Sequence, residues 1–215
     1  MYLEFCSYNT SHFERVEKQT EDVFDAVALG FSGIAIPVYL LKRIATFLSS
    51  TPIDVAAPID FPQGTSDKRL RMQEALLCLK EGADFLDIPI NPFLVKDMEY
   101  SKMEVEIKSL LRACNDYGAC LRPIIHHELY GLHQAIAISR LLYDCGVTDI
   151  IPASGFHNDD IYNNILTCVS VQEKTGLSVL CNGHIWLKSQ YDSVIRSNIS
   201  SLRLYSTKLL SSFSV

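Results

Sequence analysis

Glycine punctuates this chain at intervals that strongly restrict its fold. Gly30, Gly82, Gly118, Gly146 and Gly176 each close a helix-like stretch just ahead of a short apolar run. A residue without a Cβ suits the left-handed position that follows a helix. The runs so introduced are Gly33–Pro37, Phe85–Ile90, Ala119–Ile125, Val147–Pro152 and Leu177–Cys181, near-continuous and β-rich. Parallel strands covered on both faces read this way. Tyr2–Cys6, Ile53–Ile59 and Ser200–Tyr205 bring the set to eight.

Helical stretches lie between them. Ser11 and Glu14 form a capping box ahead of the first. Ser66 is expected to cap a second, running through Leu70, Ala75, Leu76, Leu77 and Leu79 to Gly82. Glu104–Tyr117, Leu132–Cys145 and Asp159–Thr175 carry apolar residues at helical spacing. The prolines avoid helix interiors, and Pro37, Pro58, Pro89, Pro123 and Pro152 fall in or near the late parts of strands. Eight β units with seven or eight helices between them, and no linker, predict one (β/α)₈ TIM barrel over residues 1–215. That is near the lower end of the size range, so its loops must be short. The rival, an open doubly wound sheet, needs a glycine-rich first crossover, and Ser7-Tyr-Asn-Thr-Ser11 is not one.

Composition narrows the function. A net charge of −6, with no dense run of Lys or Arg, argues against a nucleic-acid partner. No apolar run approaches the ~18 residues needed to cross a bilayer, so no membrane partner is expected. Seven cysteines without a C-x-x-C pair make a poor zinc pattern and a poor disulfide framework. The opening Met-Tyr-Leu-Glu-Phe-Cys lacks the basic and apolar regions of a secretory signal. The expectation is a cytoplasmic protein with reduced thiols.

Barrels carry their chemistry at the C-terminal ends of the strands. The third run leads into Asp60-Phe-Pro-Gln-Gly64, and the fourth carries Asp87 and Asn91. The fifth carries Arg122 and ends in His126-His127-Glu128. The last three run into Ser154-Gly155-Phe156-His157, Asn182-Gly183-His184 and Ser206-Thr207-Lys208. Asp87 interrupts an apolar strand and should face the interior, where a carboxylate needs a partner; Arg122 is the obvious one. His126, His157 and His184, with Asp60 or Asp87, are of a type that suits zinc, but no metal-spaced motif occurs. Gly155, Gly183, Ser206 and Thr207 can cradle a phosphate through backbone amides, or serve as ordinary turns and caps. The cysteines read most simply as small core residues, with Cys181 near the mouth.

From about Val23 to Leu209 the chain resembles the deoxyribose-phosphate aldolases. The resemblance is carried by Phe61-Pro-Gln-Gly64, Glu81-Gly-Ala-Asp84-Phe-Leu-Asp87-Ile-Pro-Ile-Asn91, Ala153-Ser-Gly-Phe156 and Cys181-Asn-Gly-His-Ile185. It implies a class I mechanism, with a Schiff-base lysine on the sixth strand and a tuning lysine on the seventh. It also implies a proton-moving aspartate at Asp87 with Asn91 beside it. By the same resemblance a phosphate would sit near Gly155, Gly183, Ser206 and Thr207. The chain departs from the pattern at both lysines. The Schiff-base position is Ile151 and its partner Leu180, and neither can form an imine. Two family glycines are likewise His184 and Tyr205 here. Only Lys96 and Lys208 lie in segments that approach the mouth. The expectation is a diverged barrel that binds a small phosphorylated or sugar-like ligand without a cofactor or metal. An enzyme with altered acid–base or metal-assisted chemistry through Asp87 and a histidine such as His126, or a non-enzymatic scaffold, is the alternative.

Overall fold

Strands and helices alternate along the described residues. The computed structural model describes residues 1–8, 15–157 and 160–209. Its first half comprises β1 (Tyr2–Cys6), α1 (Val16–Ala28), β2 (Gly33–Ala35), α2 (Val38–Leu48), β3 (Asp54–Pro58), α3 (Lys68–Lys80), β4 (Phe85–Pro89), α4 (Pro92–Lys96) and α5 (Tyr100–Tyr117). The second half comprises β5 (Cys120–Ile124), α6 (His127–Tyr130), α7 (Leu132–Asp144), β6 (Asp149–Ile150), α8 (Ile161–Thr175), β7 (Ser178–Asn182), α9 (Lys188–Arg196) and β8 (Ser201–Leu204). All eight expected strands are present, as are the five glycines closing helices, each at positive φ.

The strands form one parallel sheet in the order β5-β4-β3-β2-β1-β8-β7-β6. A bridge between Ile124 and Ile151 joins its two ends. There the Ile151 N–H donates to Pro123 O at 2.9 Å and the Ile125 N–H to Ile151 O at 3.0 Å. The result is a single (β/α)₈ barrel. Alternation along each strand sends one set of side chains outward to the helices and the other inward. The outward set, with Phe5, Ile34, Val55, Leu86, Leu121, Val179 and Leu202, joins the buried helix faces in the main core. Two smaller clusters fill the barrel itself: Cys6, Ala35 and Ala56 on one side, and Ile124, Ile151 and Leu180 on the other. Gly33 is bare because Tyr2 lies over it. A Cβ there would stand 2.0 Å from the tyrosine hydroxyl oxygen.

Three helix starts differ from the sequence reading, α5 beginning at Tyr100 rather than Glu104, and one lies out of view. Asp67, not Ser66, caps α3, its carboxylate accepting the Arg69 N–H at 2.9 Å. Ser66 turns back instead and gives both its N–H and its hydroxyl to Asp60. Asp160 caps α8, accepting from Tyr162 and Asn163. The capping box at Ser11 lies outside the described residues. Among those described, no helix is long and apolar enough to cross a membrane.

Candidate active site in the barrel and its mouth

Strand register assembles a charge cluster at the barrel centre. β1 and β8 pair Glu4 with Arg203, and β4 and β5 pair Asp87 with Arg122. All four point inward and none is more than 3% exposed. Arg122 Nε donates to Asp87 Oδ1 at 2.7 Å, and its Nη1 lies 2.7 Å from Glu4 Oε2. Arg203 Nε donates to Glu4 Oε1 at 2.6 Å, while its Nη2 bridges Glu4 and Asp87. Two carboxylates and two guanidiniums thus close into a neutral ring, the arrangement that makes buried charge tolerable. Tyr8 covers it from the mouth side, its hydroxyl accepting from Arg203 Nη1 at 2.8 Å. Burial pushes the Asp87 carboxyl up, but Arg122 and Arg203 outweigh burial and hold it below the ordinary carboxylate range. The expected Asp87–Arg122 pair is therefore present. Its two further members, Glu4 and Arg203, are brought together only by the register of β1 against β8. The signal was there as single charges at inward positions of apolar strands.

Beside this ring the barrel is apolar. Ile151 of the β5–β6 seam, Leu180 of β7 and Ile124 of β5 pack together, with Phe61 against them. Ile151 is fully buried and Leu180 is 4% exposed. The two positions where the resemblance calls for amines thus belong to a single hydrocarbon patch.

At the mouth, the expected site residues fall into separate groups. Asn91 lies outside the barrel as the cap of α4, accepting the Phe93 N–H at 2.9 Å. Asp60 is committed to its own loop through Ser66, and buried Arg71 stands 3.5 Å from it. His126 and His127 are not on a strand. His126 occupies a left-handed turn at φ 54° and His127 begins α6. The His126 Nε2–H donates to the Pro62 carbonyl at 2.9 Å, and the ring sits 4.7 Å from that of His157. His127 faces away, pairing through Nε2 with Asn164 Oδ1 at 2.8 Å. Asn164 in turn donates to the Asn182 carbonyl at 2.8 Å, fastening α8 to the end of β7. Among the described residues no three His, Cys, Asp or Glu side chains come together to hold a metal ion.

Gly155, Gly183, Ser206 and Thr207 follow the ends of β6, β7 and β8. Gly183 and Thr207 are buried, while Gly155 and Ser206 are half-buried. Tyr205 lies among them, its hydroxyl donating to Asn182 Oδ1 at 2.8 Å. Lys96, at the end of α4, extends over the Tyr130 ring and donates to the Leu129 carbonyl at 3.4 Å. Lys208 is exposed just past β8. Cys181 is buried in the main core rather than at the mouth, since its parity on β7 is outward.

Comparison with known proteins places this architecture. No family model matches the chain. Deoxyribose-phosphate aldolase of Aciduliprofundum boonei is 28% identical over 132 residues, covering 61% of this chain and 60% of that protein. The enzyme of the same name from Caldicellulosiruptor saccharolyticus is 23% identical over 164 residues, covering 75% and 73%. Over these spans the chain is similar to the deoxyribose-phosphate aldolases. Its alignments span about 60% of the length of the first of these relatives. Among solved structures, the aldolase QR15 superposes with a TM-score of 0.85 at 18% identity, covering 98% of this chain and 95% of that one. The tetrameric deoxyribose phosphate aldolase of Aeropyrum pernix does so at 0.85 and 16%, covering 99% and 89%. These two likenesses concern the fold. Inside a barrel of that shape, this chain's own side chains form the paired charge ring and the hydrocarbon patch.

Proposed function

We propose that this aldolase-like barrel does not form the family's Schiff base and binds a small sugar-like ligand, phosphorylated or not, at the C-terminal end of its strands. The observation that carries the reading is the hydrocarbon patch of Ile124, Ile151 and Leu180. An imine needs an uncharged primary amine beside the carbonyl carbon, and an isoleucine and a leucine stand where the resemblance puts the two amines. Asp87 supports the same reading, because Arg122 and Arg203 hold both its oxygens and its affinity for a proton is lowered. A carboxylate so held keeps two guanidiniums in place rather than passing protons to a ligand. The half-buried Tyr8 phenol and Ser206 are polar groups at the mouth that can receive hydroxyls. The reading calls for no cofactor and includes a cytoplasmic location, in keeping with seven cysteines that are all unpaired.

Borohydride trapping with deoxyribose 5-phosphate or acetaldehyde, read by intact mass, tests the chemistry. No adduct is expected, whereas a stable adduct at Lys96 or Lys208 would overturn the loss of imine formation. Thermal shift against sugars and their phosphates tests the binding. A rise in melting temperature is expected, and its absence with every sugar would favour the scaffold reading.

A further inference from the structure

The corner formed by the ends of β6, β7 and β8 is filled by an aromatic ring. Besides donating to Asn182, the Tyr205 hydroxyl stands 3.3 Å from the Ser154 carbonyl, so the side chain reaches from β8 to the end of β6. Gly155 sits under it at φ 72°, and a Cβ there would lie 3.0 Å from the tyrosine oxygen. His184 lies flat on the Tyr205 ring, with centroids 4.4 Å apart and planes 17° apart. Trp186 lies flat on His184 at 5.5 Å and 11°. The tyrosine is thus pinned on its rim by hydrogen bonds and on its face by a stack. Ser154 and Asn182 are each only 1% exposed, so swinging the ring out would strand buried polar groups.

In a (β/α)₈ barrel the loops after the seventh and eighth strands are the usual seat of a phosphate, held on backbone amides. Such a seat needs backbone N–H groups the anion can reach, and glycines allow the closest approach. In this corner the bare positions are Gly155, which lies under the tyrosine hydroxyl, and Gly183, which is buried beside His184. We propose that Tyr205, backed by His184, shuts this corner against phosphate and so selects an unphosphorylated polyhydroxy or carbonyl ligand for the mouth. The selection rests on the reading above that a small sugar-like ligand enters there; the closure of the corner stands independently of it.

The test uses calorimetric titration of the full chain with inorganic phosphate, deoxyribose 5-phosphate and deoxyribose. Wild type is expected to ignore inorganic phosphate and to bind the two sugars within about threefold of each other. Tyr205→Gly opens the corner and should gain affinity for inorganic phosphate by about tenfold or more. Tyr205→Phe gives up both hydrogen bonds but keeps the ring stacked on His184, and should still ignore inorganic phosphate, while far-ultraviolet circular dichroism establishes that each variant is folded. Trp186, the single tryptophan, reports locally on the same corner through its fluorescence. Wild type that binds phosphate, or prefers the phosphorylated sugar by about tenfold, overturns the proposal. So does a folded Tyr205→Gly that still ignores phosphate, or one that fails to fold while wild type binds phosphate. Failure of wild type to bind either sugar would sink the sugar-binding reading instead, leaving closure to be judged on the inorganic phosphate titrations.

Discussion

Asp87 holds two arginines with its two oxygens, and this commitment governs what its replacement should do. Asp87→Asn would leave Glu4 to balance two buried guanidiniums. The expected loss is about 3–5 kcal/mol of unfolding free energy by urea titration, the cost of stranding a buried charge. A carboxylate free for acid–base work would give a far smaller loss. The sign of the pH effect follows from its lowered pKa. A carboxyl whose folded pKa lies below its unfolded value stabilises fully above about pH 4 and loses that contribution as pH falls through the folded value. Wild type should therefore lose stability more steeply than Asp87→Asn below about pH 4. Glu74 and Glu106, whose carboxyls burial raises, work in the opposite direction, but they are common to both proteins and cancel in the comparison. The Asp87–Arg122 pair was legible in the sequence because the two lie on neighbouring strands of one run of the chain. Glu4 and Arg203 were not, since each is a lone charge whose partner is visible only once the register of β1 against β8 is known.

Between elements, two kinds of fastening can be separated experimentally. The first is polar: Asn164 ties α8 to the end of β7 and to His127 of α6. Asn164→Ala strands a buried carbonyl and a buried imidazole nitrogen, and should cost about 2–4 kcal/mol. Hydrogen exchange should then rise first at the end of β7 and in α6. The second is apolar: Ile151 and Leu180 join β6 and β7 through their inner faces. Ile151→Lys places an ammonium among hydrocarbon and should cost about 3 kcal/mol or more at neutral pH, measured by urea unfolding. Burial lowers the pKa of such an amine, so the deficit should shrink as pH is raised toward 10, near the ordinary lysine value of about 10.4. Helix caps were the part of this scale least readable from sequence. Ser66 and Asp67 are adjacent and both suitable, and the choice was made by Asp60, a loop residue that recruits the serine.

For the molecule as a whole, the glycine rhythm and eight apolar runs were enough to fix the architecture, because a closed parallel barrel is the fold that uses eight such units without a linker. The mouth was less legible. Its geometry depends on local departures, such as the left-handed turn at His126 and the ring of Tyr205, that leave no periodic trace. Closure also sorts the thiols. Cys120 is exposed and Cys145 half-buried, while Cys6, Cys78, Cys114, Cys168 and Cys181 are buried. Burial pushes the Cys6, Cys78 and Cys114 thiols up to about 12. Titration with a thiol-reactive chromophore should thus count Cys120 rapidly and Cys145 slowly, with the other five released only by denaturant. Rapid reaction of more than two thiols in the native protein would contradict the packing described. The charge ring has a last consequence, one of timing. Arg203 lies 199 residues from Glu4 and 116 from Asp87, so a ribosome delivers both acids long before the base that completes their neutralisation. Until β8 emerges, two carboxylates share Arg122 alone, and the barrel centre carries an excess negative charge that resists drying. A chain shortened before β8 is therefore expected to leave its interior open.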